Sequence, residues 1–167
     1  MKINDTDNFL RSQRNVELHG IPTAQNENIT RSALGVLKMV DPNLVEDDLE
    51  VIRRIKKINN TDGTLRKLNP ILVKFKNPEK RSYVFLNRKK LKDADFQAVG
   101  IDTPRVYMNE FLSPYSKSLF YHAKEFKKKN NWKYVWVSSG NVLLKQHDNS
   151  AVINVREITD LDNINII

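Results

Sequence analysis

The chain contains no cysteine, so neither a disulfide framework nor a thiolate metal site is open to it. Its three histidines, His19, His122 and His147, are scattered without ligand spacing, which speaks against zinc. Five glycines occur in 167 residues, and none builds the glycine-rich loop that cradles a nucleotide phosphate. No apolar run approaches the roughly 20 residues that span a bilayer, and no secretory leader precedes the first predicted strand. No basic amphipathic helix carries a bulky exposed apolar face, so a membrane surface is not an expected partner. These absences describe a soluble intracellular protein, cytoplasmic or nuclear, with no cofactor and no metal.

Acidic residues are scarce in one region only. Residues 1–50 hold 5 Lys and Arg against 9 Asp and Glu, whereas residues 51–167 hold 23 against 11. The span 53–92 alone has 14 basic residues and 2 acidic ones. A stripe of this kind attracts polyanions and binds them with a strong salt dependence, through counterion release. The bland alternatives are a solubilising surface and a nuclear-import address. With a pI near 9.6, the clustering favours nucleic acid.

Periodicity supplies the elements. Residues 1–13 form a polar lead-in. Asn15–Gly20 alternates as a strand and ends in Gly-Ile-Pro. Ile29, Ala33, Val36, Leu37 and Val40 fall at helical spacing, and Pro42 stops that helix. Leu49 to Ile58 reads as a basic strand, a turn cluster follows at 59–64, and Pro70–Phe75 is the clearest strand of the first half. Pro78 opens a second helix with Val84, Phe85 and Leu91 available to a core, and Arg105–Met108 reads as a fourth strand. The order βαββαβ over residues 14–109 predicts an α+β, ferredoxin-like domain of the RNA-recognition type. Residues 110–167 predict a compact second domain of one helix and three strands. Ser113 caps its helix with Pro114 at the first position; Leu119, Phe120, Ala123 and Phe126 form the apolar stripe.

The most informative segment is the hairpin Lys133–Lys145. A tight turn at Ser139-Gly140 or at Gly140-Asn141 suits a two-residue loop. Either choice places Val135, Val137, Val142 and Leu144 on one face and Tyr134, Trp136, Leu143, Lys145 and His147 on the other. An aromatic pair beside a lysine can stack bases and hold phosphates. Trp136 could equally fill a core; partial cover with an exposed edge beside Lys145 is expected. The residues expected to contact nucleic acid are Arg53, Arg54, Lys56, Lys57, Arg66, Lys67, Lys74, Arg105, Lys117, Lys124, Lys133, Tyr134, Trp136 and Lys145.

Val16-Glu17-Leu18-His19-Gly20-Ile21 resembles the first ribonucleoprotein motif of RNA-recognition domains at its apolar and glycine positions, and Leu68–Phe75 resembles the apolar end of the second. Glu17, Pro70 and Leu72 stand where such domains present stacking aromatics, so a charge-driven mode is expected instead of the usual aromatic platform. Together with Arg53-Arg54-Ile55, Tyr107-Met108-Asn109-Glu110, Leu112-Ser113-Pro114, Lys133–Val137 and Gly140-Asn141-Val142, these runs resemble the C-terminal region of the baculovirus few-polyhedra (FP) protein family. They are also similar to the first-open-reading-frame proteins of LINE-type retrotransposons. The resemblance covers residues 14–165. It implies two domains that cooperate to bind RNA or single-stranded DNA, as a ribonucleoprotein component or nucleic-acid chaperone. The coiled coil or zinc knuckles that precede many such domains are not in this chain, so the chain supplies no basis for oligomerisation and is consistent with a fragment.

The second reading is a protein-interaction module that uses a degenerate RNA-recognition fold to meet an acidic partner. An enzyme is not expected. Asp47, Asp48 and Glu50 could suggest a metal-dependent nuclease, but no general-base histidine, phosphate loop or nucleophile motif accompanies them.

Overall fold

A computed structural model describes residues 5–56 and 69–164. The protein is α+β with antiparallel sheets. It divides into two compact units, Gln13–Phe111, and Leu112–Ile167 together with Met1–Ser12. The polar lead-in is helical: α1 (Asp5–Arg14) runs directly into β1 (Asn15–His19).

The first unit continues with α2 (Ile29–Val40), β2 (Leu49–Arg54), β3 (Ile71–Phe75), α3 (Pro78–Leu86) and β4 (Tyr107–Glu110). The strands lie in the order β2-β3-β1-β4, each antiparallel to its neighbours. β1 and β2 therefore point the same way with β3 between them. The helices start where the side chains can cap them: Asn28 accepts from the Arg31 amide at 3.0 Å, and Asn77 from the Glu79 amide at 2.8 Å. α2 ends at Asp41, where the following Pro42 disfavours further helical backbone. Ala33, Val36, Leu37 and Val40 of α2 and Val84 of α3 pack with Val16, Leu18, Ile71, Val73, Phe75 and Met108 in one core. Both helices thus cover the same sheet face.

The fourth strand lies two residues later than the expected Arg105–Met108. Pairing runs from His19↔Tyr107 to Val16↔Glu110, because Met108 must join Leu18 on the core face. Arg105 and Val106 instead press against the end of β1. Gly20 sits there at φ +99°, and a Cβ on it would lie 2.4 Å from the Arg105 carbonyl oxygen. Gly20→Ala should therefore cost this unit more than about 1 kcal/mol, from backbone strain plus a clash with main chain. Denaturant titration checks this, and an unchanged midpoint would show that the Arg105 segment yields without cost. β2 ends at Arg54, short of the expected Ile58, whose position lies outside the described residues. The second helix stops at Leu86, and Leu91 reaches the core from a 3-10 turn, Arg88–Leu91.

From Leu112 on, the second unit consists of α4 (Pro114–Lys129), β5 (Tyr134–Ser138), β6 (Asn141–Lys145), β7 (Ile153–Val155) and α5 (Ile158–Asp162). Ser113 caps α4 by accepting from the Ser116 amide at 3.2 Å. The hairpin turn is Ser139-Gly140, with φ +51° and +80°; two left-handed residues in succession match a type I′ turn. Leu119 and Ala123 of α4 pack on Val142, Leu144, Val155 and Leu161, with Phe120, Phe126, Val135 and Val137 around them. Trp132, unremarked by the sequence pattern, completes this core. It is 5% exposed and meets Phe126 edge-on at 5.3 Å.

Candidate nucleic-acid interface

Strand alternation and helix placement decide which basic and aromatic groups share a surface. On the three-stranded sheet, α4 packs against the Val142 and Leu144 face. The opposite face carries Tyr134, Trp136, Leu143 and Lys145. Tyr134 pairs in register with Lys145, and Trp136 with Leu143, which makes Lys145 the diagonal neighbour of Trp136. Trp136 is half-buried and stands outside the apolar cluster that holds Trp132. The sheet thus separates a tryptophan that packs from one that is presented.

Lys117 and Lys124 do not join this surface. Both ride on α4, on the far side of the sheet from Trp136, and the Lys124 ammonium lies 4.6 Å from the Phe120 ring centroid. Lys133 and Tyr134 are held by one carboxylate. Lys133 Nζ pairs with Asp148 at 2.8 Å, and the Tyr134 hydroxyl donates to the same group. Those two hydrogen bonds, Lys133 first, hold the Asp148 carboxyl below its usual range, and Asp148 in turn raises the Lys133 ammonium. Asp148 therefore fixes the rim of the aromatic face while cancelling one of its charges. Asp148→Asn should raise affinity for a polyanion about twofold to fivefold and steepen its salt slope by up to about one. A weaker complex would mean that the fixed tyrosine matters more than the released lysine.

Part of the basic stripe of the first unit is folded back on the acidic N-terminal third. Lys74 pairs with Glu50 at 3.3 Å, Lys76 with Asp47 at 2.9 Å, and Lys80 with Asp41 at 3.3 Å; Arg14 also holds Glu50, at 2.7 Å. The three carboxylates that could suggest a metal site are thereby engaged, with Asp48 accepting from the Val45 amide. Among the described residues no group of three or more histidines and carboxylates is placed to hold a metal ion.

Arg54 is the clearest departure from expectation. It is 8% exposed and faces inward. Its guanidinium pairs with Glu27 at 2.6 Å and donates to the carbonyls of Ile21, Pro22 and Asn69. Burial would push the Glu27 carboxyl up, but hydrogen bonds from Arg54 and the Ala24 amide, with the guanidinium charge, hold it below its ordinary range. Arg54 cannot serve a phosphate without abandoning these partners. Arg81, also in the stripe, is buried between the Asn15 carbonyl and Glu110. In β-strand register, Arg54 opposes the core residue Ile71, whereas Arg53 opposes Leu72 and points to the face opposite α2 and α3.

Arg53 and Lys56 are exposed, and Lys74 is the diagonal neighbour of Arg53 on the face opposite α2 and α3. Lys57, Arg66 and Lys67 lie outside the described residues. That face also carries Glu17 and Leu72, paired in register and both buried, at the positions where stacking rings were not expected. It does carry one ring that the motif comparison passed over. Tyr107 is 47% exposed at the start of β4, with the Arg105 guanidinium 5.1 Å from its centroid. The signal was legible, since Tyr107 and Met108 must face opposite ways, but it depends on the strand register.

Residues 113–165 match the family described as baculovirus FP protein domain 2. The match begins at the α4 cap and takes in the hairpin and β7, so the second unit is similar to that domain. Comparison with curated proteins gives no match. Among the described residues no helix is long and apolar enough to cross a membrane.

Proposed function

We propose that the protein is a non-enzymatic module that binds RNA or single-stranded DNA. The observation that carries this reading is the sheet face of the second unit opposite α4, where Trp136 stands half-buried outside the core with Tyr134 and Lys145 beside it. Base stacking on such rings is sequence-tolerant and needs unpaired bases. Arg53 and Lys56 of the first unit and Lys145 of the second supply phosphate contacts, and Arg54 serves the fold. The strand order β2-β3-β1-β4 with both helices on one face supports an RNA-recognition-type arrangement for residues 14–109. The similarity of residues 113–165 to the FP domain supports kinship with the FP family; kinship with the LINE first-open-reading-frame proteins and a role in a ribonucleoprotein are part of this proposal and rest on the motif resemblance of residues 14–165. No catalytic step is assigned, because each carboxylate of the 47–50 segment already serves a cation or an amide.

Titration of the whole chain with a labelled single-stranded oligonucleotide, competed by duplex of the same length and by heparin, tests the reading. The single strand should bind best, and the duplex should compete poorly because its bases are already stacked. Equal competition by duplex and heparin would reduce the interaction to charge.

A further inference from the structure

A second site lies at the free edge of the four-stranded sheet. Among the described residues β4 has β1 on one side and no strand on the other. Alongside it the 3-10 turn Arg88–Leu91 and the residues after it form the opposite wall of a pocket of about 440 Å3, which Pro104 to Asn109 complete. Arg88, Lys89, Lys92 and Arg105 line it, against the single carboxylate of Asp93. All four cations are exposed. This differs from the Lys74 to Lys80 part of the stripe, whose cations are paired with the acidic segment.

Two of these cations are pre-positioned. The Arg88 guanidinium lies 4.1 Å from the Phe85 ring centroid and donates to the Phe85 carbonyl at 2.9 Å. A single carbonyl leaves most of its five donors available. Arg105 is layered on Tyr107. Tyr107 and Asn109 are two residues apart on β4, so they point to the same side of the sheet, opposite α2 and α3. Tyr107 opposes His19 in register, whose Nε2 is 2.9 Å from Glu17. The pocket thus offers different chemistry at its two ends. Cations from the 3-10 turn stand beside the sheet edge, and an exposed ring with an adjacent amide stands on the face opposite α2 and α3.

A bare phosphate would use the first end only, and the volume exceeds what it needs. We infer that this pocket takes one nucleotide unit, with its phosphate between Arg88, Lys89 and Lys92 and its base against Tyr107 and its Arg105 layer. Asn109 is placed to meet a base edge. The inference deepens the single-strand reading and rests on it for the source of the nucleotide; it adds a contact remote in sequence from Trp136.

Adenosine 5′-monophosphate, adenosine and inorganic phosphate, each titrated into the full chain and followed by NMR chemical-shift changes, test it. The monophosphate should bind tightest and move the amides of residues 88–92 and 105–109. Arg88→Ala and Tyr107→Ala, both at exposed side chains, should each weaken it at least fivefold with unchanged melting, while Trp136→Ala leaves it unaltered. Equal binding of phosphate and monophosphate, or monophosphate binding indifferent to both variants, would overturn the site. The two readings fail separately. Oligonucleotide binding with no response at these residues removes this pocket and spares the single-strand function; monophosphate binding here without oligonucleotide binding does the reverse.

Discussion

Arg54→Ala is expected to destabilise the protein by about 3–5 kcal/mol, the cost of breaking a buried pair from one side. The loss has two parts. Glu27 keeps a carboxylate without its cation, and the carbonyls of Ile21, Pro22 and Asn69 lose their shared donor. The effect should depend on pH in a defined sense. Glu27 is held below its ordinary value of 4.5 in the folded protein, so its contribution is complete above that value and is lost as pH falls through the lowered one. The difference between wild type and variant should therefore shrink in acid. Affinity per folded molecule for a polyanion should stay close to wild type, whereas Arg53→Ala should lower affinity and leave melting unchanged. Denaturant titrations at pH 7 and pH 3, with binding measured on the folded fraction, separate the two neighbours. A stable Arg54→Ala protein with weakened binding would reverse the assignment.

Trp132→Ala should cost a similar amount, about 3–5 kcal/mol, by opening a cavity beside Phe126 in the core of the second unit. Trp132→Phe should cost far less than the alanine change. Its ring keeps much of the packing, and it removes an indole N–H that is buried without an acceptor among the described residues. Leaving such a donor unmade is itself unfavourable. Thermal melting of the two variants checks the order, and equal losses would mean that the indole nitrogen contributes to the fold.

The sequence and the structure agree where local chemistry decides the outcome. Asn28 and Ser113 cap helices because their side chains reach backbone amides a few residues away, and the hairpin faces follow from alternation alone. They part where distant residues decide. Arg53 and Arg54 are adjacent and chemically alike, yet one points outward and the other into a cage of carbonyls built from residues 21, 22 and 69. Charge counting could not separate them. Nor could it show that Glu50, Asp47 and Asp41 fold back onto Lys74, Lys76 and Lys80. The two tryptophans, four residues apart, illustrate the same limit. Trp136 alternates on a strand and could be assigned a face. Trp132 precedes the strand, at a turn whose direction is fixed by its amide bond to the Lys127 carbonyl at 2.9 Å, and only tertiary packing shows that it fills the core.

The most direct measurement of the central claim is Trp136→Ala, read by oligonucleotide titration and thermal melting of the same preparation. Loss of a stacking ring should weaken single-strand binding by roughly 1–3 kcal/mol, leave duplex affinity, expected to be poor from the start, unchanged and lower the melting temperature little, because Trp136 stands outside the core cluster. A large fall in melting temperature with normal single-strand affinity per folded molecule would contradict the account, since Trp136 would then be a packing residue and the face opposite α4 would not be the binding surface.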